Sequence, residues 1–179
     1  MTKKFGFIVL APQPNLALIK TSLNNALRYS DNVKVVIPIH TDVRIIRAVK
    51  ELVPMVGVGG NTITSLINEG FKDANGWQIT TMAGSPLAAG LVRKLDLFIQ
   101  EDNDIVYSVV SDIDRNGNIL SLNNTFYTCS LNGVCINAKT FKRIGNMREE
   151  GELQHVRMEW AAWALAAGCK FKGIVGLRA

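Results

Sequence analysis

Between Asn61 and Ile119 the chain spells out helix, strand, capped helix, strand and tight turn, and that order leaves few folds open to it. Ile63, Leu66, Ile67, Phe71 and Ala74 fall on one helical face, and Trp77 to Met82 then runs as a buried strand does. Next comes Ala83-Gly84-Ser85-Pro86. Ser85 can cap a helix there, and Pro86 suits a first helical position because it has no N–H to leave unpaired. A helix feeding a strand this directly points to an α/β sheet, whose strand-end loops are where such proteins bind ligands.

The rest of the chain extends the pattern. Phe5 to Leu10 reads as a buried first strand, stopped by Ala-Pro-Gln-Pro because proline cannot continue a ladder. Asn15 can cap a helix whose apolar positions are Leu16, Ile19, Leu23, Ala26 and Leu27. Val33 to Ile39 is a second strand. His40-Thr41-Asp42 again offers a cap, for a helix with Ile45, Val49, Leu52 and Val53 on its inner face, and Val56 to Val58 is a short third strand. Strands alternating with helices imply parallel pairing, so the first four strands are expected to be parallel. The alternation is lost after Ile99. Ile105 to Val110 is a strand, Asp114 to Gly117 has hairpin-turn chemistry, and Ile119 to Leu122 is its return. A short basic helix, a final helix with Leu153, Val156, Trp160, Trp163, Ala164 and Ala167 on one side, and a last strand from Phe171 to Val175 complete the reading.

A chain of 179 residues, 47% hydrophobic, can bury one core and is too short for two ordinary domains, so a single domain over residues 1–179 is expected. No apolar run approaches bilayer length and no cleavable leader is apparent, which points to a soluble, cytoplasmic protein. Cys129, Cys135 and Cys169 have neither zinc-ligand nor redox spacing and read as buried free thiols. The formal charge of +5 is scattered, and the basic stretch from Lys139 to Arg148 lacks interleaved aromatics, so nucleic acid is not the expected partner.

Three segments carry a family likeness: NEGFKDANGWQITTMAGSPL, EDNDIVYSVVSDIDRNGNI and SLNGVCINAKTFKRIGNM. In pattern more than identity, from Phe5 to about Gly168, the chain resembles the nucleotide-sugar-binding half of family 2 glycosyltransferases, which have the GT-A fold. The resemblance implies a three-layer sandwich with a mostly parallel sheet and an antiparallel hairpin in its second half. It also implies a nucleotide sugar held over the carboxyl ends of the parallel strands. Pro12, Gln13 and Asn15 of the first loop, and Thr41 and Asp42 of the second, would then meet the nucleotide. Asp42 can accept from an imide or a ribose hydroxyl, though a helix cap is a sufficient reason for it. Asn68 on the third helix is carried as a further donor contact, against the alternative of a solvated asparagine.

Two departures from that pattern matter. Where the family has an Asp-x-Asp motif whose metal bridges two phosphates, this chain has Ala83-Gly84-Ser85. No metal is expected there, and Gly84 and Ser85 would meet a phosphate through amides and a hydroxyl. Asp112-Ile113-Asp114 spells Asp-x-Asp one helix later. Mg²⁺ or Mn²⁺ enters only if that pair forms a displaced site, and a tight turn explains it as well. The family's Glu-Asp pair at the last helix is also missing. Glu159 is the best single candidate for the catalytic base, with Glu152 and His155 as fallbacks. The expected function is therefore transfer of a sugar from a nucleotide donor to an acceptor hydroxyl on a glycan or protein. The rivals are a non-catalytic GT-A-like binding or assembly module, and a nucleotidyltransferase, for which Pro12-Gln13-Pro14 is a poor first loop.

Overall fold

The computed structural model describes residues 5–87, 89–99, 103–113, 119–122 and 131–176. In chain order the elements are β1 (Phe5–Leu10), α1 (Leu16–Leu27), β2 (Val33–Pro38), α2 (Val43–Leu52), β3 (Met55–Gly59), α3 (Ile63–Phe71), β4 (Trp77–Met82) and α4 (Ala89–Phe98). They continue with β5 (Ile105–Ile113), β6 (Ile119–Leu122), β7 (Val134–Asn137), α5 (Ala138–Ile144), α6 (Leu153–Ala166) and β8 (Phe171–Gly176).

The strands follow the order β3-β2-β1-β4-β7-β5-β6, with β8 on β5. β1 to β4 are mutually parallel, as expected, and β1 lies inside the sheet between β2 and β4. That position explains its uninterrupted apolar sequence, since both faces are covered. Ile8 and Leu10 enter one core layer, while Phe5, Phe7 and Val9 enter the other. Helices α3, α5 and α6 pack over the first layer through Phe71, Phe141 and Trp160, whose rings stack in succession. Helices α1, α2 and α4 cover the second through Leu23, Val49 and Leu95. The result is the three-layer α/β sandwich expected. Gly70 lets α3 approach β1, since a Cβ there would stand 2.6 Å from Ile8 Cγ2.

In the second half, β7 runs antiparallel to both β4 and β5, and β5 pairs antiparallel with β6 at Ser111–Leu122. The antiparallel hairpin is present as strands. Its turn, Asp114 to Asn118, lies outside the described residues, as does Cys129. Cys135 and Cys169 are the buried free thiols expected. Burial pushes the Cys135 thiol well above its ordinary range, which makes it an inert core group.

Two expectations need correction. α4 begins at Ala89, so Ser85 and Pro86 do not start it; they belong to a loop held against α1 through Gly84 and Leu87. Trp163 is 46% exposed, because the buried stripe of α6 runs through Val156, Arg157, Trp160, Ala161 and Ala164. At about 100° per residue, Trp163 falls off the side of Trp160 away from Ala161 and Ala164.

Candidate functional site

The chain moves from β1 outward to β2 and β3 and is then carried by α3 to β4 on the other side of β1. Both the loop after β1 and the loop after β4 lead into helices of the same layer, α1 and α4, and the second loop is bonded to α1; a reversal of strand order of this kind is where open α/β sheets hold ligands. Loops 11–15, 39–42, 60–62 and 83–87 lie along this carboxyl edge.

The first two loops spend their polar groups locally. Asn15 Oδ1 accepts from the N–H groups of Ala17 (2.9 Å) and Leu18 (3.2 Å), capping α1. Asp42 Oδ1 accepts from Arg44 N–H at 2.7 Å and caps α2, while Thr41 Oγ1 donates to the Pro38 carbonyl. Pro12 is half-buried, Gln13 is exposed, and the Asp42 carboxylate remains 54% exposed with the Arg44 guanidinium 3.9 Å away.

The loop after β4 is built differently. Gly84 N–H donates to the Leu18 carbonyl (3.1 Å) and to Ser22 Oγ (2.9 Å), and Ser22 Oγ in turn donates to the Met82 carbonyl. Ser85 N–H donates back to the Met82 carbonyl, and Thr81 Oγ1 to the Ser85 carbonyl. Asn25 then grips Leu87 at two points: Nδ2 donates to its carbonyl (3.1 Å), and Oδ1 accepts from its N–H (2.9 Å). Gly84 has φ of +88° and a Cβ there would stand 3.1 Å from Leu18 Cδ2, so the close seat on α1 requires glycine.

A divalent cation does not fit this loop. Ala83, Gly84 and Ser85 bring no carboxylate, and the Gly84 and Ser85 amides are already bonded inside the protein. No group of three His, Cys, Asp or Glu among the described residues could hold a metal. Of the displaced pair, Asp112 enters through its backbone opposite Ser121, and Asp114 lies outside the described residues.

The remaining candidates are scattered over the layer of α3, α5 and α6. Asn68 is buried, not solvated: Nδ2 donates to the Met147 carbonyl (2.8 Å) and Oδ1 accepts from Met147 N–H (2.9 Å), tying α3 to the segment after α5. Glu159 sits mid-helix on α6 with Oε2 3.3 Å from Arg148 Nε. That contact is an ion pair by distance, and the buried Oε2 accepts no hydrogen bond. Glu152 and His155 pair with each other at 3.5 Å on the exposed first turn of α6.

Sequence reading missed Arg148, Glu149 and the clamp residues Ser22 and Asn25, which join segments far apart in the chain. Glu149 lines a groove of about 530 Å³ between α3 and the chain around Gly145, floored by Phe71 and Phe141 and reaching the carboxyl edge at Gly59 and Gly60.

No protein-family model matches the chain, and no curated protein matches it in sequence. Solved structures do match its fold. 4-Diphosphocytidyl-2C-methyl-D-erythritol synthase from Anaerococcus prevotii superposes with a TM-score of 0.62 at 15% identity, over 98% of this chain and 90% of that one. M. tuberculosis glucosyl-3-phosphoglycerate synthase, solved with Mn²⁺, uridine diphosphate and phosphoglyceric acid, gives 0.64 at 12% identity, over 99% of this chain and 70% of that one. S. aureus TarS gives 0.63 at 16% identity, over 95% of this chain and 35% of that one. The chain has the GT-A-like fold of nucleotide-diphospho-sugar transferases.

Proposed function

We propose that this chain binds a sugar nucleotide over the carboxyl ends of β1 and β2 and transfers its sugar to an acceptor hydroxyl, with Glu159 taking the hydroxyl's proton. One observation carries the reading: Glu159 Oε2 is buried, accepts no hydrogen bond, and has Arg148 3.3 Å away. Buried polar atoms are nearly always bonded, and exceptions call for a functional reason. A carboxylate oxygen with a lone pair unspent, beside a guanidinium, suits a general base.

In this reading Pro12, Gln13 and Asn15 flank the nucleotide, and Asp42 accepts from an imide or a ribose hydroxyl. Thr41 sets the turn that presents Asp42. The acceptor oxygen attacks the anomeric carbon as its proton passes to Glu159, and the bond from that carbon to the nucleotide diphosphate oxygen breaks. No metal step is drawn at β4, where the residues do not fit one. Since the Gly84 and Ser85 amides are engaged, the Ser85 hydroxyl is the group left for a phosphate. In support, the M. tuberculosis relative in fold holds uridine diphosphate together with an acid bearing a hydroxyl, phosphoglyceric acid.

A non-catalytic binding module is the second reading, favoured by the carboxylate-free loop after β4 and its seat on α1. The test is a panel of nucleotide sugars followed by thermal shift and by release of nucleoside diphosphate, with and without Mn²⁺. Glu159→Gln should lower turnover roughly 10²-fold or more and leave donor affinity nearly unchanged. Equal turnover in the variant removes Glu159 from the mechanism. A thermal shift with no turnover by the wild type establishes the second reading.

A further inference from the structure

Helix α6 has an outer face that a helix in contact only with water does not have. From Met158 to Ala167 its one charged residue is Glu159, which is half-buried against Arg148. Met158, Trp163 and Leu165 are 47%, 46% and 60% exposed, and Ala162, Ala166 and Ala167 are exposed between and beside them. The inner stripe of the same helix is already packed through Trp160 and Ala164. A helix apolar on both sides is ordinarily covered on both.

Charge is arranged around this face in one direction. Near the carboxyl end of α6, Arg143 Nη2 donates to Cys169 Sγ at 2.9 Å, which brings the basic side of α5 alongside. Lys139, Arg143 and Lys170 are exposed there, and Asp104 is the acid in contact, 3.7 Å from Arg143. Glu149, Glu150 and Glu152 gather before the amino end of the helix. Trp163 has the amphipathic ring favoured at a membrane–water boundary.

We infer that the carboxyl-terminal half of α6, with its basic flank, docks this protein on an anionic membrane surface. Apolar residues would enter the headgroup boundary while Lys139, Arg143 and Lys170 meet lipid phosphates, so apolar burial and charge act together. This contact is peripheral, since no helix among the described residues is long and apolar enough to cross a membrane. It leaves the loops after β1 and β4 open, with Glu159, one turn before Trp163, at the margin of the docked face. Phe171 pairs with Ile105 at the start of β5, so α6 ends at the amino edge of the sheet, opposite the loops after β1 and β4.

Vesicle flotation of the intact chain tests the inference, using phosphatidylcholine alone and an equimolar mixture with phosphatidylglycerol. The protein should float with the mixed vesicles at low salt, be released at high salt, and ignore phosphatidylcholine alone. Leu165→Glu with Met158→Glu should reduce the bound fraction roughly tenfold or more, with Lys139→Glu giving a smaller loss and a shallower salt dependence. Near-ultraviolet circular dichroism checks the fold, and Leu165→Ser serves if the double variant is disturbed. Absence of flotation with mixed vesicles overturns the inference. So does a concentration-dependent increase in mass that Leu165→Glu abolishes, because the face would then join two copies of the chain.

Discussion

Two stretches of the carboxyl edge use their polar side chains in opposite ways. Asn15 and Asp42, in the loops after β1 and β2, bond to amides two or three residues ahead and hold only their own helices. The loop after β4 is held from outside, by Ser22 and Asn25 of α1 and by Asn132, whose Oδ1 accepts from Met82 N–H at 2.6 Å. Asn25 on Leu87 and Asn68 on Met147 are the same device, an amide side chain completing one rung of ladder with a passing backbone. Local caps leave a loop free to meet a ligand. Long-range clamps fix a loop and use up the amides a ligand would need.

The clamps should therefore carry more stability than the caps. Asn25→Ala strands a backbone donor and acceptor of the buried Leu87, and Asn68→Ala does the same at the buried Met147. At about 1–3 kcal/mol per unsatisfied buried group, each variant should lose roughly 2 kcal/mol or more. In a chain of this size that lowers the melting temperature by roughly 5 °C. Urea unfolding with an unchanged slope would confirm a pure stability effect. If Asn25→Ala melts with the wild type, the loop after β4 is not clamped and the contrast disappears.

Asn15→Ala is the matching experiment on the other side. It removes two bonds to N–H groups that water can reach once the side chain is gone, so the cost should be about 1 kcal/mol. A loss equal to that of Asn25→Ala would mean that the two regions do not differ in kind.

The same division separates what was legible in the sequence from what was not. The caps at Asn15 and Asp42, the order of the strands' periods, the apolar face of α3 and that of α1 apart from the exposed Leu27 all depend on neighbours within a turn or two, and these could be read directly. Asn68 was legible only as a polar residue on a helix, because its partner Met147 lies 79 residues ahead. Ser85-Pro86 has the local chemistry of a helix start. Its bonds instead draw it back toward β4 and α1, and tertiary contact overrides the local signal. Trp163 was placed inward by its type and spacing. The phase of a helix is set by all its buried positions together, and Arg157 and Ala161 turn that phase away from it.

The smallest expected stability change belongs to Asp42, and it separates the two roles the residue can have. As a cap it makes one exposed bond, to Arg44 N–H, and the Arg44 ion pair at 3.9 Å is solvated, so Asp42→Ala should cost only roughly 0.5 kcal/mol. Asp42→Asn keeps an oxygen for the cap and should cost less still. Ligand binding reverses the order of importance. A carboxylate that accepts from an imide or ribose hydroxyl contributes more than a neutral acceptor, so Asp42→Ala should weaken nucleotide binding roughly tenfold while the melting temperature barely moves. Asn15→Ala should show the opposite profile, with stability lost first and affinity little changed. Isothermal titration with the nucleotide that gives the largest thermal shift measures both variants. Equal affinity for wild type and Asp42→Ala would leave Asp42 a helix cap and nothing more, and would move the nucleotide away from the second loop.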